Sequence, residues 1–394
     1  MIELRRRSIS ELNHPLLISG SVALLAWLYL LLFHGRFWRT DLLLAAVGSA
    51  GPPSGLVAVV IPARNEAENI GPAVSSLLNQ GCADHMRIFV VDDHSTDGTA
   101  DAARAAAEGD DKLQVIDGEA LPPGWTGKLW AVQQGIQAAL SVGPQFLLLT
   151  DADIEHARDS VATLVSIAEK DNYDLVSFMV KLHCRTIAEK LLVPAFVFFF
   201  FLLYPPRWIR SSRQRIAGAA GGCMLIRPEA LQRAGGIAAI RGAIIDDCAL
   251  ARRVKRSGGR VWLGLTRDSH SLRQYDSFGE IERMIARTAF NQLSHSAVLL
   301  VGAMFGMALI YLLPLVLLFT GNRPDEIVGA ATCVLMLVAY LPMVRFYGLG
   351  WYWALTLPAS ALFYMFATID SALRFWRGRG GEWKGRAQDQ NPPQ

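Results

Sequence analysis

Three groups of acidic residues, each directly after an apolar run, constrain the fold of this chain more than any other feature. They are Asp92-Asp93, Asp151-Ala152-Asp153 and Asp246-Asp247. The first two follow short runs rich in strand-forming residues, 87–91 and 145–149. Because the carboxyl ends of parallel strands meet at the edge of an open α/β sheet where ligands bind, these acids are predicted to share one crevice.

Strand and helix patterns alternate around these clusters. The continuously apolar, β-branched run 56–61 predicts a buried strand that Pro62 ends, and a helix that includes 73–78 follows it. The next strand then delivers Asp92 and Asp93. This alternation predicts βαβ units, and therefore an α/β fold with a mostly parallel sheet.

Hydropathy adds a second constraint, because 52% of the residues are hydrophobic and only 19% are charged. The uncharged stretch 15–33 has about the 20 residues that a helix needs to cross hydrocarbon. Three further apolar stretches, 297–320, 327–344 and 351–369, close the chain. We therefore expect an integral membrane protein whose N-terminal stretch is an uncleaved anchor rather than a signal peptide.

Another apolar run, 191–204, is short for a crossing and lies between Asp153 and Asp247. A crossing there would place these two acids on opposite sides of the membrane, so an interfacial or re-entrant helix near 191–206 is expected. A buried core helix is the alternative. The arginines that follow would favour anionic headgroups; they are Arg207, Arg210, Arg213 and Arg215.

The predicted organisation has four parts. They are an N-terminal transmembrane anchor and linker (1–50), an α/β catalytic domain (51–296), C-terminal transmembrane segments (297–372) and a basic tail (373–394). The basic groups are not interleaved with aromatic residues, so lipid and phosphate are expected as partners rather than nucleic acid. The five cysteines are odd in number and lack metal-ligand spacing, which predicts neither a disulfide framework nor a zinc site.

Chemistry is predicted first for Asp151 and Asp153, which could share one face of an extended segment and hold a divalent cation. Mg²⁺ takes one or two protein carboxylates and completes its shell with phosphates and water. Lys128, after Gly127, could offer a point charge to a phosphate, although a surface lysine is the alternative. The small residues of 217–222 indicate either close approach of a ligand or a β-bulge.

As an ordered set, these motifs resemble the family 2 glycosyltransferases over about 57–293. The resemblance is carried by Val60-Ile61-Pro62-Ala63-Arg64-Asn65-Glu66, Asp92-Asp93-His94-Ser95-Thr96-Asp97-Gly98, Gly127-Lys128, Asp151-Ala152-Asp153, Gly221-Gly222-Cys223 and Asp246-Asp247-Cys248-Ala249-Leu250. It implies a Rossmann-like GT-A fold and transfer of a sugar from a nucleotide donor with inversion.

The resemblance assigns one group of residues to the nucleotide-sugar donor: Pro62, Ala63, Arg64, Glu66, Asp93, Lys128 and Asp151. It implies that Asp93 contacts the uracil ring, that Asp151 faces the ribose or the metal, and that Lys128 assists the phosphates. It also implies that Asp153, with Asp151, binds Mg²⁺ or Mn²⁺ bridging the diphosphate.

A second group would lie on the acceptor side: Gly221, Gly222 and Cys223. The resemblance makes Asp247 the general base, while Asp246 would tune its neighbour or cap a helix. Processive members of the superfamily carry a Q-x-x-R-W element, of which 284–288 keeps only Arg287. Arg287 could still reach the diphosphate, and the missing tryptophan favours a single transfer over polymer synthesis.

A narrower resemblance concerns the acceptor. The segment 283–293, the apolar tail and Trp383-Lys384-Gly385-Arg386 look like the hopanoid-biosynthesis-associated (HpnB-type) branch, which implies a lipid acceptor dissolved in the bilayer. The expected protein is a multi-pass, inner-membrane glycosyltransferase that uses a UDP-sugar on the cytoplasmic side, although Arg5 to Arg7 oppose that orientation. The alternatives are a polysaccharide synthase, a non-catalytic scaffold and, disfavoured by the lack of intramembrane charges, a transporter.

Overall fold

A computed structural model of the chain describes residues 2–43, 51–378, 382–383 and 386–387. Its contacts divide the chain into two compact units. The first, here named the sheet unit, comprises Leu43–His183, Pro206–Gln274 and Phe375–Gln394. The second, the helical unit, comprises Met1–Leu42, Cys184–Pro205 and Tyr275–Arg374.

Ten strands occur among the described residues. They are β1 (Val57–Ala63), β2 (Met86–Asp92), β3 (Leu113–Asp117), β4 (Phe146–Thr150), β5 (Ile154–Glu155), β6 (Leu175–Lys181), β7 (Cys223–Ile226), β8 (Val261–Ser271), β9 (Glu382–Trp383) and β10 (Arg386–Ala387). The first eight form one sheet in the order β3-β2-β1-β4-β7-β6-β8-β5. Pairing is parallel from β3 to β4 and antiparallel on both sides of β7, so the predicted α/β fold is confirmed with a mixed sheet.

Sixteen α-helices occur among the same residues. They are α1 (Ile2–Leu32), α2 (Thr40–Leu43), α3 (Ala67–Leu78), α4 (Thr99–Ala107), α5 (Gly127–Leu140), α6 (Ser160–Lys170), α7 (Ile187–Leu203), α8 (Pro206–Arg210), α9 (Pro228–Arg233), α10 (Asp246–Arg256), α11 (Phe278–Ala286), α12 (Ala289–Gln292), α13 (Ala297–Met307), α14 (Leu313–Leu317), α15 (Arg323–Phe346) and α16 (Leu357–Trp376). Short 3₁₀ or π turns connect several of them.

Strand β1 lies inside the sheet between β2 and β4, and all seven of its residues are buried. Pro62 lies inside this strand, so the expectation that it ends the strand was wrong. Pairing of β1 with β4 stops at Val60, and Ala63 accepts a hydrogen bond from Asp93 on the β2 side. The missing N–H of Pro62 therefore points to the side where the ladder has already ended, and a proline is tolerated at such a position.

Helix α5 packs closely on β1 and thereby fixes the position of Lys128. A Cβ at Gly135 would lie 2.4 Å from Val60 Cγ1, so only glycine allows this approach of helix and strand. The helix begins where Thr126 accepts a hydrogen bond from the Leu129 amide, at 3.3 Å. Lys128 therefore lies in the first turn of α5.

The helical unit contains most of the apolar surface of the chain. Among the described residues, five helical stretches are long and apolar enough to cross a membrane by length and composition, with mean hydropathy from 1.3 to 2.3. They are Pro15–Leu32, Ile187–Arg210, Ala297–Leu317, Arg323–Phe346 and Trp351–Trp376. The expectation of apolar helices near the N-terminus and in the C-terminal region is confirmed.

Helix α7 begins at a fully formed capping box. Thr186 accepts a hydrogen bond from the Glu189 amide, and the Glu189 carboxylate accepts from the amides of Thr186, Arg185 and Tyr275. The helix therefore begins earlier than the predicted 191 and ends at Leu203. Its contacts group it with the other apolar helices, and an interfacial placement near 191–206 stays a prediction.

Candidate active site

The predicted acidic clusters meet at one edge of the sheet because of its register. Strands β1, β2 and β4 are parallel neighbours, so their carboxyl ends point to the same edge. Strand β7 runs antiparallel to β4 and pairs Cys223 with Thr150, which brings the beginning of β7 to that edge. The segment that follows β4, with Asp151, and the segment that precedes β7, with Gly221, are therefore adjacent.

Lys128 joins two of the acidic clusters directly. Its Nζ lies 2.9 Å from Asp151 Oδ1 and 3.2 Å from Asp246 Oδ2. Burial lowers the pKa of the ammonium, but the charges of Asp151 and Asp246 outweigh burial and raise the pKa above its usual value. Lys128 is consequently a permanent cation between the two carboxylates.

Asp153 lies two residues after Asp151 and is hydrogen-bonded to residues at the end of β8. The Ser271 hydroxyl donates to Asp153 Oδ2 at 3.1 Å, and the Leu272 amide donates to the Asp153 carbonyl at 2.8 Å. Burial, with the charges of Asp151 and Glu66, raises the pKa of Asp153 to about 6. The carboxylates of Asp151 and Glu66 thus repel that of Asp153.

This repulsion is what a divalent cation would relieve. No group of three or more His, Cys, Asp or Glu side chains in the described part of the chain is arranged to hold a metal on its own. Mg²⁺ and Mn²⁺ need only one or two carboxylates when phosphate oxygens and water complete the shell. The oxygen donors of Asp151 and Asp153 fit such an ion, which would be shared with a bound diphosphate.

Asp247 is held in the first turn of α10 by two backbone amides. Gly221 donates to Oδ2 at 2.9 Å and Cys248 donates to Oδ1 at 2.6 Å. Burial and the charge of Asp246 raise the pKa of Asp247 to about 6, although both amides and Lys128 act in the opposite direction. The N-cap position of α10 is occupied by Ile245, so the alternative role of Asp246 as the helix cap was wrong, and its role toward Asp247 in catalysis stays a prediction.

The two glycines before β7 have different surroundings. A Cβ at residue 221 would lie 3.3 Å from Asp247 Oδ2, whereas a Cβ at residue 222 would lie 3.2 Å from Ile154 Cδ1. Cys223 is fully buried in β7, where burial raises the pKa of its thiol to about 12. Gly221 thus makes room for Asp247, and the predicted acceptor contacts of all three residues stay predictions.

The loops after β1 and β2 are joined by side-chain hydrogen bonds. Ser95 accepts from the Asn65 amide at 2.9 Å, and the Asn65 side chain accepts from the Thr96 amide at 3.0 Å. Asp97 accepts from the amides of Ala67 and Thr99, at 3.0 and 3.1 Å, so its role here is structural. These bonds fix the edge of the sheet where the predicted donor residues lie.

Asp93 is almost fully buried at this edge. The Arg64 guanidinium donates to the Asp93 backbone carbonyl and lies 3.6 Å from its Oδ2. The Asp93 amide in turn donates to the Ala63 carbonyl at 2.8 Å. The predicted donor residues Ala63, Arg64 and Asp93 are therefore in mutual contact, and their role toward a nucleotide stays a prediction.

A shallow pocket lies between these elements, and its empty space of about 330 Å³ includes open solvent. Its polar rim includes Lys128, Thr150, Asp151, Gly221 and Asp246. Its remaining walls are mostly apolar, and they are formed by Pro62, Leu129, Val132, Leu149, Met224, Ile237, Ile240 and Leu250. The lining of the pocket therefore combines charged side chains with a larger number of apolar ones.

Several supporting residues were not predicted from the sequence. Thr150 Oγ1 donates to the Gly222 carbonyl at 2.8 Å and lies 2.9 Å from His156 Nε2. Because the hydroxyl proton is used by Gly222, His156 donates through Nε2. His156 is buried, and burial lowers its pKa to about 4, so it is neutral. The only available signal for Thr150 was its place between a buried strand and Asp151.

Arg287 is the one predicted site residue outside the sheet unit. It is exposed and ends α11 in the helical unit. Its predicted contact with a diphosphate stays a prediction.

Taken together, the mixed sheet and its acidic edge make the sheet unit a GT-A-like α/β domain. Residues 58–235 match the family model described as "Glycosyl transferase family 2", which supports a family 2 glycosyltransferase. The chain is also similar to the mannosyltransferase PcManGT from Pyrobaculum calidifontis, solved in complex with GDP-Man and Mn²⁺. That similarity has a TM-score of 0.50 with 20% identity, and it covers 90% of this chain and 99% of the other.

A curated relative matches a shorter part of the chain. It is the 4,4'-diaponeurosporenoate glycosyltransferase of Staphylococcus aureus, which is 36% identical over 110 residues. The alignment covers 27% of this chain and 27% of that protein, so the match spans about a quarter of the length of the relative.

Proposed function

We propose that the chain is a membrane-bound, inverting glycosyltransferase that moves one sugar from a nucleotide sugar to a hydroxyl of a lipid acceptor. The observation that carries the proposal is the Lys128 bridge, 2.9 Å from Asp151 and 3.2 Å from Asp246. It joins the acids suited to a diphosphate and its cation with the acids suited to proton removal. A transferase needs both within the length of one sugar.

Asp247 is the proposed general base. Its carboxylate takes the proton of the acceptor hydroxyl while the acceptor oxygen forms a bond to the anomeric carbon. The bond from that carbon to the diphosphate oxygen breaks at the same time, so the configuration is inverted and no sugar is attached to the protein. A pKa of about 6 leaves Asp247 ionised at neutral pH and still basic enough to accept a proton.

The donor is proposed to bind along the carboxyl edge of β1, β2 and β4. Asp153 and Asp151 would hold Mg²⁺ or Mn²⁺, which when bound neutralises charge on the departing nucleoside diphosphate. Lys128 would bind a phosphate oxygen, and Asp93 would contact the base, proposed as uracil. Pro62, Ala63, Arg64 and Glu66 are proposed to line the nucleotide pocket.

The acceptor is proposed to be a membrane lipid of the hopanoid or isoprenoid kind. Apolar side chains, including Leu129, Val132, Ile237 and Ile240, form much of the pocket beside Asp246. Five helices suited to a membrane support an acceptor that stays in the bilayer. The matched S. aureus protein is named for a lipid-related glycosylation, which agrees with this acceptor class.

The proposed location is the inner membrane, with the sheet unit on the cytoplasmic side where nucleotide sugars are made. Polymer synthesis is the second candidate. It is disfavoured because the segment 284–288 keeps only Arg287 of the element typical of processive enzymes. A non-catalytic scaffold is disfavoured because the pKa of Asp247 is raised, which is typical of catalytic acids and bases.

The test uses the purified full chain in lipid nanodiscs that contain a total bacterial lipid extract. A panel of radiolabelled UDP- and GDP-sugars is added with Mg²⁺, with Mn²⁺ or with EDTA. Label is expected to enter the organic phase in single-sugar products, and only when a divalent metal is present. Long water-soluble product would favour the synthase instead.

The matched variants are Asp247→Asn and Asp268→Asn, because Asp268 is an exposed acid on β8 that is not among the proposed site residues. Asp247→Asn is expected to lose at least about 1000-fold in turnover while it still binds UDP with Mn²⁺. Asp268→Asn is expected to behave as the parent protein. Unchanged transfer by Asp247→Asn would contradict the assignment of the base.

A further inference from the structure

Lys128 contacts a proposed metal ligand as well as lying where a phosphate would bind. Its ammonium lies 2.9 Å from Asp151 Oδ1, which is an oxygen that the proposed cation would use. Asp246 is the second partner, at 3.2 Å. When no donor is bound, the Lys128 ammonium therefore pairs with the Asp151 carboxylate that the proposed cation would use.

We propose that Lys128 is an internal counter-ion that occupies Asp151 until a metal-bound nucleotide diphosphate arrives, and that it then moves from Asp151 to a phosphate oxygen. The inference rests on the proposed function, because it uses the metal site at Asp151 and Asp153. It goes further in one respect: the protein binds free metal weakly and binds the metal together with diphosphate strongly.

The geometry allows such an exchange. The backbone of Lys128 is fixed in the first turn of α5, whereas its ammonium is carried on a flexible four-carbon stem. An ammonium has three N–H donors, and two of them face Asp151 and Asp246. Asp246 can therefore retain the ammonium while the contact with Asp151 is exchanged for a phosphate oxygen in the same pocket.

Electrostatics sets the direction of the effect. A cation that enters beside Asp151 meets the positive charge of the Lys128 ammonium, which lies 2.9 Å from Asp151 Oδ1. Repulsion at a few ångströms lowers the affinity for a divalent cation at least about tenfold at the effective dielectric constant of a protein surface. The negative phosphates remove this penalty by attracting Lys128 away.

The experiment measures binding of Mn²⁺ alone, by electron paramagnetic resonance, to the full chain in nanodiscs without donor. Lys128→Gln is expected to bind Mn²⁺ at least about tenfold more tightly than the parent protein. Lys128→Arg, which keeps the charge, is expected to show no such gain. With saturating Mn²⁺, calorimetry should show that UDP binds Lys128→Gln about tenfold more weakly than the parent.

Lys112 offers a matched control. Its Nζ also lies between two carboxylates, 3.5 Å from Asp84 and 3.5 Å from Asp110, and its side chain is 22% exposed against 21% for Lys128. Lys112→Gln is expected to leave Mn²⁺ and UDP binding unchanged. If Lys128→Gln does not fold, the double variant Lys128→Gln with Asp246→Asn is used instead. It removes the charge of Asp246, which would otherwise lose its Lys128 partner, and it should show the same gain in Mn²⁺ affinity.

The outcomes separate the inference from the proposed function. Equal or weaker Mn²⁺ binding by Lys128→Gln, with binding still lost in Asp153→Asn, overturns the counter-ion role and leaves the metal site intact. Mn²⁺ binding that is absent from both the parent and Lys128→Gln, or that is insensitive to Asp153→Asn, overturns the metal site and the counter-ion role together. Tighter Mn²⁺ binding by Lys128→Gln, without such a gain in Lys128→Arg or Lys112→Gln, supports both the metal site and the counter-ion role.

Discussion

The Gly221 amide donates a 2.9 Å hydrogen bond to Asp247 Oδ2, and a Cβ at residue 221 would lie only 3.3 Å from that same oxygen. Gly221→Ala should therefore displace the proposed base by a few tenths of an ångström. We expect kcat to fall roughly tenfold to 100-fold, because small misplacements of reacting groups are costly. The KM for the donor should change little, and both constants are read from initial rates.

Gly71→Ala is the matched control for that substitution. Gly71 lies inside α3, and nothing lies within 4 Å of a Cβ placed there. Because the added methyl would meet no group outside the neighbouring residues of the helix, kcat should stay unchanged. Equal rates for Gly221→Ala and Gly71→Ala would contradict the close packing of Gly221 against the base.

The raised pKa of Asp247 predicts an acid limit to activity. Burial and the charge of Asp246 raise this pKa to about 6, and only the ionised carboxylate can accept a proton. Below pH 6 the protonated fraction grows, so kcat/KM at saturating Mn²⁺ should fall by about tenfold per pH unit. Above pH 7 the rate should be nearly constant.

Asp246→Asn tests which group sets this limit. The substitution removes a charge that raises the pKa of Asp247, so the acid limb should move to lower pH. If the limb instead follows the metal ligand Asp153, the substitution should leave its position unchanged and the Mn²⁺ concentration should shift it. The two pH profiles are measured at several Mn²⁺ concentrations.

Thr150→Val should lower the stability of the sheet edge that carries Asp151. The hydroxyl donates to the Gly222 carbonyl at 2.8 Å and accepts from His156 at 2.9 Å, so valine leaves two buried polar groups without this partner. Each unsatisfied group costs about 1 to 3 kcal/mol, and the free energy of unfolding should fall accordingly in denaturant titrations. Thr150→Ser should restore most of it, and equal stability of the valine variant would contradict the bonding.

Glu189→Gln should destabilise the beginning of α7. Glu189 is fully buried, and its two oxygens accept from the backbone amides of Arg185, Thr186 and Tyr275. The amide nitrogen of glutamine cannot accept these bonds, so a loss of about 2 kcal/mol is expected. Thermal inactivation in nanodiscs measures it, and an unchanged midpoint would show that the cap contributes little.

The meeting of the acidic clusters was predictable because it depends on one rule, that parallel strands end at a common edge. Asp92 ends β2, and Asp151 follows the end of β4, as their apolar runs indicated. The apolar helices were predictable for a similar reason, since length and hydropathy suffice to identify them. Both are local patterns that a sequence displays directly.

The contact between Lys128 and Asp246 was not predictable, because it depends on packing between distant parts of the chain. It requires the close approach of α5 to β1 at Gly135 and the antiparallel insertion of β7 beside β4. Neither leaves a pattern near Lys128 itself. The same holds for His156, whose role depends on the Thr150 hydroxyl rather than on its own neighbours in sequence.

Strand β4 is hydrogen-bonded to β1 on one side and to β7 on the other. Within the eight-stranded sheet, the strands that precede β4 in the chain lie to one side and those that follow it lie to the other. Changes on one side reach the other through this shared strand and through Lys128 of α5, whose Nζ lies 3.2 Å from Asp246 Oδ2. Under the proposed function, the nucleotide side and the lipid side of the site are therefore joined at two places, and β4 and Lys128 are the parts that must stay constant during evolution.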